Sequence, residues 1–153
     1  MVDRFEQFTS AISSIYRFVQ KIERDVMEKF GLKGAYAQYL LALANHSEGL
    51  TAAALCEVCD KDKSAVSRIL TEMEAKGLVL RTSENESQYR ARLILTEQGK
   101  KAVEYVRQKA TVAVELAGKG LTEENRGILY GSLALIAGNL ETIAQNGVPD
   151  ELS

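Results

Sequence analysis

The sequence is short of proline, histidine and cysteine, and each shortage narrows what the chain can be. One proline, Pro149, among 153 residues lets long helices run without kinks. Two cysteines, Cys56 and Cys59, cannot build a disulfide framework and suit a reducing compartment. They are expected to be buried structural thiols. The single histidine, His46, brings the candidate metal ligands to three, without the four ligands or the spacing of a zinc site. No metal and no cofactor are expected.

The usual parts of an enzyme are missing too. There is no phosphate-binding loop and no Ser or Cys nucleophile with a base to activate it. Glu123 and Glu124 are adjacent, so on a helix they point in different directions. Nothing approaches the roughly 18 consecutive apolar residues of a membrane span. The first eight residues carry acids where an export signal carries basic groups. The expectation is a cytoplasmic, non-enzymatic protein with no membrane partner.

What is present is the composition of an ordinary folded chain, 46% hydrophobic and 26% charged. The net charge of −2 argues against indiscriminate nucleic-acid binding, but the charge is unevenly placed. Residues 61–92 hold seven basic groups and five acids, so that stretch is positive while the remainder is negative.

Apolar positions spaced three and four apart predict a helix over 4–29, from Phe5 through Phe8, Ile12, Ile15, Val19 and Ile22 to Met27. A second helix over 35–46 is apolar around most of its circumference and is expected at the centre. Thr51 caps a short helix over 52–59, and Asp62 caps another over 63–76. The latter carries Val66, Ile69, Leu70 and Met73 on one face. The period then changes to two. Strands are expected over 78–82 and 89–95, joined by a polar turn at 83–87. Thr96 and Thr122 cap two more long helices, over 97–117 and 122–145.

The chain is therefore expected to be mainly α with a small β-hairpin. A winged helix-turn-helix spans 51–99, helical dimerisation regions span 1–50 and 100–147, and a tail spans 148–153. A two-fold dimer built from both ends of the chain would set two recognition helices one DNA turn apart on a near-palindromic operator. With its apolar face inward, the helix over 63–76 turns Lys63, Ser64, Ser67, Arg68 and Thr71 outward, and Lys61 precedes it. Arg can bond guanine bidentately, Ser can bond base edges, and Lys suits phosphate. Arg90 and Arg92 on the hairpin can enter the minor groove. The competing reading is a winged helix that binds protein without specific DNA binding.

Asp62-Lys63-Ser64-Ala65-Val66-Ser67-Arg68-Ile69-Leu70-Thr71-Glu72-Met73-Glu74-Ala75-Lys76-Gly77-Leu78-Val79, followed by Leu95-Thr96-Glu97-Gln98-Gly99, resembles the recognition helix and wing-to-helix motif of the MarR family of bacterial regulators. The resemblance implies a homodimer joined through the first, fifth and sixth helices. It also implies repression of neighbouring genes, relieved by a small ligand or by oxidation. The ligand pocket it implies lies near the first, second and fifth helices, where Tyr16, Arg17, Tyr36 and Tyr39 would receive a phenolic or carboxylate compound. One feature departs from the family. Its wing Asp-x-Arg pair is replaced by Ser87 and Tyr89, with Arg90 as the nearest substitute.

Overall fold

The computed structural model describes residues 3–82 and 90–151. The elements run α1 (Arg4–Lys29), α2 (Tyr36–Ala44), β1 (Leu50–Thr51), α3 (Ala52–Cys59), α4 (Lys63–Ala75), β2 (Val79–Arg81), β3 (Arg92–Leu95), α5 (Glu97–Ala117) and α6 (Glu123–Asn146). Helix limits fall within two residues of those expected. The strands are shorter than expected, and the polar turn with Ser87 and Tyr89 lies outside the described residues.

The caps are where the side chains predict them. Thr51 accepts a hydrogen bond from the Ala54 amide, Asp62 from Ala65, and Thr122 from Asn125. Each satisfies one of the amides that a helix start leaves without a partner.

By packing, the chain divides into two compact units, Met1–Val112 and Ala113–Ser153. In the first, six of the nine residues of α2 are buried, including Tyr36, Tyr39, Leu40 and Leu43. Around them gather Leu55 of α3, Val66, Ile69, Leu70 and Met73 of α4, and Leu93 of β3, with Ala102, Val103 and Val106 of α5. The segment 51–99 thus shares one core with α2 and the first half of α5. In the second unit, Arg126 closes the turn between helices. Its guanidinium donates to the Gly118 carbonyl at 3.1 Å and lies 3.3 Å from the Glu115 carboxylate. No residue of α6 is buried. Among the described residues, α6 also has the length and mean hydropathy (1.3) of a membrane span.

Strand β1 was not anticipated, because two residues carry no periodic signal. It pairs antiparallel with β3, Leu50 opposite Leu93, making a three-stranded sheet in the order β1-β3-β2. Strand β2 pairs with β3 on the other side, Val79 opposite Leu95 and Arg81 opposite Leu93.

The join between hairpin and α5 explains the Leu-Thr-Glu-Gln-Gly stretch. The Thr96 hydroxyl donates to the Gly77 carbonyl and accepts from the Gly99 amide, while the Thr96 amide donates to the Leu78 carbonyl. The first turn of α5 is pressed against the residues that end α4. Gly99 is required by that approach, since a Cβ there would lie 2.2 Å from the Leu78 carbonyl oxygen. Gly99→Ala should therefore destabilise the chain by about 1–3 kcal/mol, the ordinary cost of overpacking. Thermal unfolding followed by circular dichroism measures it, and an unchanged midpoint would show that the contact can relax.

Candidate nucleic-acid interface

Two faces of α4 define the site. Val66, Ile69, Leu70 and Met73 are buried, and each apolar side chain is worth about 1.5–3 kcal/mol on burial. Lys63, Ser64, Ser67, Arg68 and Thr71 are exposed and, with Glu72, line one shallow surface groove. The structure thus brings together five of the residues expected to meet DNA. Thr71 spends its hydroxyl proton within the helix, on the Ser67 carbonyl at 3.0 Å.

The helix-turn-helix corner forms because Asp60 adopts the left-handed conformation (φ 51°), ending α3 two residues before Asp62 caps α4. Asp is among the few side chains that tolerate that conformation. Lys61, within this corner, is exposed but lines a different recess, with Gln20, Glu23 and Arg24 of α1 and Gln38 of α2. It is not one of the residues lining the groove of α4.

The two wing arginines differ. Arg90 is exposed in a turn before β3. Arg92 is exposed as well, but its guanidinium donates to the Gly49 carbonyl at 3.2 Å. Its backbone exchanges hydrogen bonds with Thr82 across the hairpin. Arg92 therefore ties the base of the wing to the turn before β1.

Two supports of the recognition helix were not evident from the sequence. Glu74 meets Arg81 of β2 at 2.8 Å, fastening α4 to the sheet. Glu72 uses one carboxylate oxygen to accept from Lys33 Nζ at 2.8 Å and from the Tyr36 hydroxyl at 2.9 Å. These bonds join α4 to the start of α2. They hold the Glu72 carboxyl below its usual range, Lys33 contributing most. Burial, followed by the bond to Glu72, pushes the Tyr36 hydroxyl up to about 12. The only sequence sign was an acid four residues after Arg68 on an otherwise basic face.

The four residues expected around a ligand do not converge. Tyr36 and Tyr39 are packed in the core. Tyr16 is exposed on α1 and accepts from Gln20, and Arg17 is exposed beside it, over the Phe18 ring. A cavity of about 360 Å³ lies instead between the end of α2, β3 and α5. It is lined by Leu43, His46, Ile94, Lys100, Val103 and Arg107, among others. Cys56 and Cys59 are free and half-buried. Burial pushes the Cys59 thiol up, favouring its protonated form. Among the described residues no cluster of three or more metal-ligating side chains occurs.

The family model for the MarR family matches residues 30–88. An uncharacterized HTH-type transcriptional regulator of Bacillus subtilis, YybA, is 25% identical over 105 residues, covering 68% of this chain and 70% of that one. A MarR transcriptional regulator from Methanosarcina mazei shares the fold with a TM-score of 0.77 and 24% identity, over 94% of both chains. A MarR family regulator from Listeria monocytogenes, solved in complex with a 26mer DNA, superposes with a TM-score of 0.71 and 20% identity. It covers 99% of this chain and 100% of that one.

The Tyr36–Glu72 contact makes a pH prediction. A raised value means the folded chain holds the Tyr36 proton more tightly than the unfolded chain does. Its contribution to stability is whole below about pH 10, the ordinary tyrosine value, and is lost as pH climbs toward about 12. Burial raises Tyr39 as well, so ultraviolet titration of the phenolate band should show a late region from which Tyr36→Phe removes one phenolate. An undiminished late amplitude in the variant would refute the assignment.

Proposed function

With this chain a winged helix-turn-helix transcriptional regulator of the MarR family, we propose that it works as a homodimer. The dimer binds a near-palindromic operator in the cytoplasm, represses adjacent genes, and lets go when a small ligand binds. One observation carries the assembly: the apolar surface that a single chain leaves in water. Phe5, Ile15 and Phe18 on α1, Leu116 on α5, and Ile128 and Leu135 on α6 are all more than half exposed. In each of the two units, large apolar side chains exposed on this scale mark an interaction surface. A second copy of the same helices supplies the cover, since a two-fold interface buries like against like.

Arg68, Ser64 and Ser67 read base edges in the major groove, while Lys63 and Thr71 hold phosphate. Arg90 reaches the minor groove. Arg92 supports the wing from its base, and Lys61 contributes long-range positive charge. The effector is a small aromatic or carboxylate compound. The 360 Å³ cavity supports this, being within the usual size range for small ligands. Buried Leu43 and Val103 give it apolar lining, and Lys100 and Arg107 supply two cations against the one acid, Glu104.

DNA from the protein's own promoter region should shift in a gel at low salt. Arg68→Ala should cost about 1–3 kcal/mol and relax base preference, whereas Lys63→Ala should weaken all sequences and lower the salt slope by about one. A well-folded dimer that shifts no DNA would sink this function. For the assembly, light scattering should give twice the chain mass. Leu135→Glu should yield monomer, because an interface carboxylate would be buried unpaired. A protein recoverable only in detergent would point to a membrane partner for α6.

A further inference from the structure

Of the acids near the DNA-facing groove, Glu72 is the one that lines it, and it is committed to two donors from outside α4. Lys33 lies just before α2 and Tyr36 at its first residue, 39 and 36 residues away in sequence. Tyr36 is wholly buried, so its hydroxyl approaches from the core side. Lys33 is mostly exposed and approaches from the surface. One oxygen thus receives a rigid donor and a flexible one, which together oppose rotation of α4 about its own axis and sliding along α2. The apolar contacts of α4 are non-directional and tolerate small shifts of that kind, so direction has to come from hydrogen bonds.

We propose that Glu72 is the positioning residue of the recognition helix, setting through Lys33 and Tyr36 the register in which Ser64, Ser67 and Arg68 meet base edges. It touches no base itself. The proposal rests on the DNA-binding reading above and concerns selectivity more than strength. Non-specific binding comes from phosphate charge and depends weakly on how the helix is turned. Base readout needs donors held within a fraction of an ångström of their places. Loosening the tether should therefore lower specific affinity and leave non-specific affinity alone. Glu72 also places a negative charge in the groove, which Lys33 offsets.

The test uses the full chain, a duplex selected from a random pool by the unaltered protein, and a scrambled duplex of equal length. Tyr36→Phe leaves the charge unchanged. It should reduce specific affinity about tenfold, the effect of one hydrogen bond to a charged group, with the scrambled duplex and the salt slope unaffected. Glu72→Gln should move the two affinities in opposite directions, specific down and scrambled up, because a negative charge leaves the face. In the double variant the specific losses should not add, since both changes break one contact. Lys21→Ala, which breaks an exposed ion pair with Asp25, is the control and should change neither affinity. Equal losses on both duplexes, additive losses, or no loss from a folded variant would each overturn the proposal. A selection that enriches no sequence would overturn the DNA-binding reading as well, so the two failures are distinguishable.

Discussion

Everything on the DNA side depends on α4 being held by one face so that the other stays bare. The helix has four buried apolar side chains and five exposed polar ones lining a groove, and the two sets interlock at a spacing of three and four. Burial of the first set stabilises the helix by several kcal/mol in all, far more than a 13-residue helix could claim from propensity. That burial leaves the polar set solvated at little cost. The positive face is therefore a consequence of packing, and the net negative charge of the chain does not weigh against it. What matters is the local field within about a Debye length, roughly 8–10 Å at ordinary salt.

Packing sets which face of α4 is outward, and polar contacts tie the helix to its neighbours at three points. Glu74 fastens it to β2 through Arg81, Glu72 to the start of α2, and its end is held to α5 through Thr96 and Gly99. The exposed pairs contribute little to stability, because surface ion pairs are worth about 0–1 kcal/mol. Their use is geometric. Each joins α4 to a different neighbour, so a shift that relaxes one strains another.

Most of the fold was legible because its signals are local. Caps at Thr51, Asp62 and Thr122 are set by side chains within three residues of the amides they bond. The apolar stripe of α4 needs only its own spacing. What stayed hidden were contacts across long separations: β1 with β3, Glu72 with Lys33 and Tyr36, and Arg92 with Gly49. Sequence spacing does not encode which distant donor meets which acceptor. The same limit explains the tyrosines. Tyr36 and Tyr39 carried the chemistry of a ligand wall, but α2 is the central helix of its unit and takes both into the core. The helix pattern had already marked α2 as central. Lys61 shows a smaller version of the problem, since one residue of turn separates it from Lys63 and carries it to another recess.

The bare helices raise a different physical question, which is why a chain would keep so much apolar side chain in water. In α6 not one residue is buried, although its hydropathy equals that of a membrane span. Its apolar stretch is nonetheless broken by Asn139 and Glu141, groups that are costly to bury in hydrocarbon and that the wet edge of a protein interface accommodates. A chain whose second unit has so little core of its own cannot rest that unit's stability on internal packing. If the chain dimerises as proposed, folding and association become one equilibrium, dependent on concentration. For a regulator this coupling has a use. In the proposed dimer, two recognition helices would gain a fixed spacing only when the apolar faces of two chains close on each other. Base readout and a complete fold would then be reached in the same step.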